Sequence, residues 1–165
     1  SFLQTKGAMA VGIEMHSLSK TYNMTGWRIG MAVGNAEVIA GLGRVKTNVD
    51  SGVFDAVQHA AIAALSGPQD CVKEACRIYQ ERRDVLVSGL RTLGFDVPLP
   101  KATFYVWVPA EDCMAFSGRL LTEAGIVATP GVGFGASGEG YFRLSAFNSR
   151  ANIEEAVRRI HAVLN

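Results

Sequence analysis

Residues 69–93 carry Val72, Ala75, Cys76, Tyr79, Leu86, Leu90 and Leu93 at steps of three or four, apart from the adjacent Ala75-Cys76 and one longer step. This is the period of a helix with a single apolar stripe. Ser66-Gly67-Pro68 breaks the chain ahead of it, Pro68 suits the first turn of a new helix, and Gly94 is a natural stop. A helix of this length exceeds what one small core usually needs. It is therefore expected to bridge two lobes and to divide the chain into an earlier and a later part.

The earlier part reads as strand, polar loop, strand. Residues 10–15 and 28–33 are short and mostly apolar, with Gly34-Asn35 closing the second by turn chemistry. An antiparallel return would gather the polar groups of residues 16–27 at one end of a sheet. Residues 36–45 read as a helix with Val38, Ile39, Leu42 and Val45 on one side. Residues 47–52 read as a loop of caps and breakers, and 53–65 as another helix. The later part has an α+β rhythm: strands at 104–108, 126–129 and 141–146, a helix at 114–124, and a glycine-rich loop at 130–140. A closing helix at 149–164 has Ile153, Ala156, Val157, Ile160 and Leu164 on its apolar face. Glu154 and Glu155 precede Arg158 and Arg159 by four.

Composition removes several classes of function. Hydrophobic residues make up 48% of the 165 and charged residues 19%, so the chain can bury a core. Sixteen basic residues against fifteen acidic ones give a net charge of +1, without the basic excess of a nucleic-acid binder. No apolar run is long enough to span a bilayer and no charged-then-apolar leader opens the chain. The reading is a soluble, cytoplasmic protein with no membrane or nucleic-acid partner. Cys71, Cys76 and Cys113 match no zinc spacing and read as reduced apolar filler. With His16, His59 and His161 scattered, no metal is expected.

Chemistry concentrates in Ser17-Leu18-Ser19-Lys20-Thr21-Tyr22-Asn23-Met24-Thr25-Gly26-Trp27-Arg28-Ile29-Gly30. Hydroxyls and a guanidinium make a seat for a phosphate dianion, because arginine donates a planar fork to paired oxygens. A lysine beside such a seat can meet a carbonyl carried by the same molecule and form a Schiff base. From residue types alone, an ordinary basic surface loop fits equally well. Ser-x-x-Lys also occurs in serine acyl-transfer enzymes, but the Ser-Asp-Asn and Lys-Thr-Gly elements that accompany it there are missing. Two further segments stand out. Gly140-Tyr141-Phe142-Arg143-Leu144-Ser145 sets an arginine in an apolar strand, which is costly unless an anion or water meets it. Lys46-Thr47-Asn48-Val49-Asp50-Ser51-Gly52 carries polar groups that either cap a helix or reach a ligand. Pro130-Gly131-Val132-Gly133-Phe134-Gly135 lacks the strand-to-helix context of a nucleotide loop.

Ser17-x-Ser19-Lys20 followed by Met24-Thr25-Gly26-Trp27-Arg28-Ile29-Gly30 resembles the signature of the class I/II aminotransferases, which depend on pyridoxal 5′-phosphate (PLP). The resemblance implies an α/β fold: the end of the PLP-binding large domain at 1–66, a connecting helix at 67–94, and a small α/β domain, α+β in its strand order, at 95–165. It implies that Lys20 is the catalytic lysine, holding the cofactor as a Schiff base and moving the substrate α-carbon proton. Ser17, Ser19 and Arg28 match phosphate-binding positions. Tyr22 either approaches the site or packs. Arg143 matches the clamp for the substrate α-carboxylate, and the Pro130–Gly135 run resembles the loop leading to it. Asn48, with Ser51, would lie near a homodimer interface and touch substrate or phosphate. The partners implied are a small amino acid, a 2-oxo acid and a second copy of the chain.

The run His16–Trp27 together with Lys46–Phe54 is most similar to the LL-diaminopimelate branch of that family, which serves lysine biosynthesis; the aspartate and alanine branches are the alternatives. The family's pyridine-pairing Asp, its ring-stacking aromatic, an earlier phosphate loop and its O3′ ligands come before the lysine. Only nineteen residues precede Lys20 and none is Asp. The expectation is an inactive C-terminal fragment with exposed edges and a tendency to self-associate, or, outside enzymology, an isolated dimerisation module.

Overall fold

The computed structural model describes residues 1–165, which form two compact units, Ser1–Lys73 and Glu74–Asn165. The first unit opens with a 3-10 turn at Phe2–Gln4 and a short helix, α1 (Ala8–Val11). Strand β1 (Ile13–Ser17) follows, then a single helical turn, α2 (Leu18–Thr21), a 3-10 turn at Thr25–Trp27 and strand β2 (Gly30–Gly34). Helices α3 (Ala36–Val49) and α4 (Asp55–Ser66) complete it. Helix α5 (Asp70–Thr92) begins in the first unit and runs into the second. There it is followed by β3 (Tyr105–Pro109), α6 (Cys113–Ala124), β4 (Thr129–Pro130), two 3-10 turns, β5 (Tyr141–Ser145) and α7 (Arg150–Leu164).

The antiparallel return is present: β1 pairs with β2 from Ile13↔Gly34 to Ser17↔Gly30. The strand expected at 10–15 lies later, because Gly7 turns left-handed at φ 84° and starts a helical turn through Val11. The second strand likewise begins at Gly30, since Arg28 is itself left-handed at φ 53°. Helix α3 overruns the expected loop at 47–52. Thr47 and Asn48 lie inside the helix, where Thr47 Oγ1 and Asn48 Nδ2 both donate back to the Arg44 carbonyl, at 3.2 and 2.7 Å. Asn35 caps its start, accepting from the Val38 N–H at 3.0 Å.

The second unit holds most of the buried apolar residues. Sheet order is β3-β5-β4, all antiparallel. Val106, Val108, Phe142 and Leu144 point to one face, where Leu86, Val87 and Leu90 of α5, Leu120 of α6 and Ile153 and Ile160 of α7 close over them. Helix α5 ends as Gly94 predicts. The Phe95 N–H reaches the Leu90 carbonyl and the Gly94 N–H the Arg91 carbonyl, with Gly94 at φ 90°, the pattern of a Schellman cap. On α7 the expected Glu155–Arg159 pair forms, but Glu154 does not pair with Arg158. Glu155 takes both Arg158 and Arg159, while Glu154 pairs with Arg150 one turn earlier. The strand expected at 126–129 shrinks to two residues. Cys113 is buried, but Cys71 and Cys76 are exposed, so only one of the three fills a core. No helix is long and apolar enough to cross a membrane.

In the first unit only Leu18, Met24 and Ala61 form a buried cluster, with Tyr22, Ile29, Ala60 and Ala64 against it. Met15, Met31 and Val33 of the hairpin and Val38, Val45 and Val49 of α3 remain exposed.

Two outcomes are expected. Leu90 has no exposed surface and touches the core of the second unit, so Leu90→Ala should cost about 2–5 kcal/mol in denaturant unfolding. Glu14 on β1 accepts from the Ser1 hydroxyl and from the Leu3 N–H at 2.9 Å, and meets His16 Nε2 at 2.8 Å. These contacts hold its carboxyl at about 2, below the usual 4.5. The attachment of the first turn to β1 is then fully present above pH 4.5 and is lost as pH falls through about 2. Carboxyl NMR titration of Glu14 should give that low midpoint.

Candidate functional site

Ser17 ends β1 and caps α2: its Oγ accepts from the Ser19 N–H at 3.2 Å. The hydroxyl proton of Ser17 is then directed away from its own backbone and can serve a ligand. Leu18 is buried beneath the turn, so Ser19 and Lys20 are carried on the outer side of a fixed anchor. Lys20 lies in the last turn of α2 and is exposed.

Thr25 joins the basic groups. Its Oγ1 donates to the Ser19 carbonyl at 3.0 Å and faces Lys20 Nζ at 3.5 Å. Its carbonyl accepts from Arg28 Nη1 at 2.9 Å. Thr25 was part of the sequence run but carried no assigned role; its only sequence signal is its position five residues after Lys20. Two of the three non-glycine residues with left-handed backbone, Asn23 and Arg28, lie in this one loop. Strained backbone of that kind gathers at functional sites. Ser17, Ser19, Lys20 and Arg28 are thus tied into one hydrogen-bonded segment. Its donor set suits a phosphate dianion: hydroxyls, an ammonium, and a guanidinium with one of its N–H groups engaged.

Tyr22 packs against the Leu18 cluster and its hydroxyl donates to Gln69 Oε1 at 2.8 Å. Asn48 is exposed near the end of α3 with its amide donor bound to its own helix. A cleft of about 310 Å³ beside Ile29 and Gly30 is lined by Lys46, Thr47, Asp50 and Gln58, and Asn48 is not among its walls. Ser51 is exposed in the short link before α4.

Within the second unit, Arg143 is the middle residue of the central strand, opposite Trp107 on β3 and Thr129 on β4. Strand alternation puts it on the face away from Phe142 and Leu144. Its guanidinium carbon lies 4.1 Å from the Tyr105 ring centroid and 4.3 Å from that of Phe134. Phe134 comes from the Pro130–Gly135 loop and meets Trp107 edge-on at 5.2 Å. That loop is held close to the chain that returns: a Cβ on Gly131 would come within 1.9 Å of the Gly138 carbonyl oxygen. A larger cleft, about 490 Å³, lies between α7 and β5, but its charged walls, Glu155 and Arg159, already pair with each other. No group of three or more His, Cys, Asp or Glu is placed to hold a metal ion.

The family described as aminotransferase class I and II matches residues 3–160. A protein of Syntrophobacter fumaroxidans named LL-diaminopimelate aminotransferase is 58% identical over 163 residues, covering 97% of this chain and 42% of that protein. One of the same name from Moorella thermoacetica is 52% identical over 167 residues, covering 99% and 43%. Among solved structures, BacF of Bacillus subtilis matches at 39% identity and TM-score 0.91, covering 98% of this chain and 44% of that one. An aminotransferase of Staphylococcus aureus matches at 34% and 0.92, with the same coverage. The chain thus spans about 42% of the length of its curated relatives. PLP is the cofactor of this family. The chain belongs to the class I and II aminotransferases.

Proposed function

We propose that the full-length gene product is a PLP-dependent transaminase that moves an amino group between an amino acid and a 2-oxo acid. The observation that carries this reading is the meeting of Lys20 and Arg28 at Thr25, beside the Ser17 and Ser19 hydroxyls. In it, Ser17, Ser19 and Arg28 hold the cofactor phosphate. Lys20 Nζ binds the cofactor and is the base that moves the proton of the substrate α carbon. Bound PLP supplies the electron sink for that carbon. Arg143 holds the substrate α-carboxylate by a two-pronged contact. Asn48 contributes a polar contact to substrate. The amino-group exchange assigned is that of LL-diaminopimelate aminotransferase, supported by relatives of that name at 50–58% identity. A homodimer in the cytoplasm completes the reading. The domain division proposed is large-domain end at 1–66, connecting helix at 67–94 and small domain at 95–165.

The isolated 165 residues are a different case. The one acid ahead of Lys20 is Glu14, and its oxygens are taken by Ser1, Leu3 and His16. Those contacts compete with any pairing to a protonated pyridine. The isolated chain is therefore expected to bind PLP weakly and to show no turnover, whereas the full-length protein shows both.

Borohydride reduction of the full-length holoenzyme, followed by peptide mapping, should place the label on Lys20, and Lys20→Ala should remove label and activity together. Label on another residue would end this reading. Turnover with LL-diaminopimelate well above that with aspartate or alanine is the expected specificity; the reverse order would leave the transaminase reading and remove the branch. Arg143→Lys should lower kcat/KM for amino acid and 2-oxo acid alike by about 10²-fold, because an ammonium cannot replace the planar fork.

A further inference from the structure

Lys20 sits on a helix of four residues, Leu18–Thr21. One turn of helix is not stable by itself, so its direction must be set from outside. Two things set it. Leu18 is buried against Met24 and Ala61, and Tyr22, the residue that ends the turn, packs its ring on the same cluster. The Tyr22 N–H closes the turn on the Leu18 carbonyl at 3.1 Å. Beyond the ring, the Tyr22 hydroxyl reaches Gln69 Oε1 at 2.8 Å, forty-seven residues away in sequence.

The Gln69 side chain is itself fixed. Its Nε2 donates to the Ala64 carbonyl at 3.0 Å and to the Gly67 carbonyl at 2.7 Å. Ala64 is in the last turn of α4, where carbonyls have no partner within the helix. With both amide protons engaged by carbonyls, the orientation of the amide is determined, and Oε1 is the atom presented to Tyr22. The turn that carries Lys20 is thereby tied to the α4–α5 junction, outside its own loop.

We infer that Tyr22 is a positioning residue for Lys20, acting through the hydrogen bond to Gln69. This rests on the transaminase reading of Lys20. Removing the hydroxyl leaves Leu18 and the ring in place but cuts the tie to Gln69, which loosens the turn and alters where Nζ lies relative to Thr25 and to a bound cofactor.

The test uses full-length wild type, Tyr22→Phe, Gln69→Ala and the double variant. Amide hydrogen exchange of the cofactor-free proteins should show residues 18–22 exchanging about fivefold faster in Tyr22→Phe. In the holoenzymes, the pH midpoint of the cofactor's visible absorption band should shift in Tyr22→Phe. In the Gln69→Ala background, Tyr22→Phe should add nothing to either readout, because the partner is already gone. An unchanged midpoint and unchanged exchange in Tyr22→Phe would overturn the inference. So would equal losses of thermal stability in both backgrounds with the midpoint unmoved. If wild type shows no visible band that Lys20→Ala abolishes, the transaminase reading falls instead, and exchange in the cofactor-free proteins still decides whether Tyr22 and Gln69 fix the turn.

Discussion

The cross-strand pair Ser17↔Gly30 closes the hairpin end from which all the candidate cofactor residues project. Beyond it the Leu18 N–H reaches the Ile29 carbonyl at 3.3 Å, extending the ladder one step into the loop. Gly30 permits this close approach: a Cβ there would come within 2.5 Å of the His16 carbonyl oxygen. A flexible loop loses much conformational entropy when it is ordered. Here both ends are held by the ladder, and Leu18 and Met24 anchor the middle in the small core. The polar side chains between those anchors are left to face outward as a group.

That arrangement rests on the less self-sufficient of the two units. The second unit closes a three-stranded sheet under α5, α6 and α7, with Leu90, Leu120, Val106, Val108, Phe142 and Ile160 fully covered. The first has a two-stranded ribbon, a form that is marginal without further packing. Its exposed Met15, Met31, Val33, Val38, Val45 and Val49 form faces suited to more protein instead of water. The hydrogen bonds through Thr25 and Gln69 matter more in such a setting, because little buried apolar surface holds the loop in place.

What could be read from sequence follows from this difference. The long helix at 69–93 is found at Asp70–Thr92, and the closing helix at 149–164 at Arg150–Leu164, because their apolar stripes and caps are local signals that the core reinforces. Boundaries failed where a polar residue had two local uses. Thr47 and Asn48 read as breakers, yet both lie within α3 with their side chains turned back to the Arg44 carbonyl. Arg28 read as the start of a strand, but its left-handed backbone delays that strand to Gly30. In the candidate site, the run around Lys20 was legible as a motif. The bridging role of Thr25 and the tie from Tyr22 to Gln69 depend on distances that spacing does not contain. Arg143 was legible as a residue in a strand, but the Tyr105 and Phe134 rings that meet it come from other elements and are set by tertiary contacts.

The two arginines share a physical feature that bears on their use. Arg143 is held by the Tyr105 and Phe134 rings, which attract the guanidinium through its charge and engage none of its N–H donors. Arg28 gives one N–H to the Thr25 carbonyl, an acceptor without net charge. Neither is paired with a carboxylate of the chain, although Arg77, Arg83, Arg119, Arg150, Arg158 and Arg159 all are. A guanidinium locked to Asp or Glu would have to break that pair before meeting a phosphate or an α-carboxylate, losing most of what the new contact offers. Orientation by a ring or a backbone carbonyl avoids that exchange: it limits the motion of the side chain while its charge stays uncompensated. Under the proposed function, this is what leaves Arg28 and Arg143 open to an anion; Arg82 and Arg91, likewise held by backbone carbonyls, have no part in it.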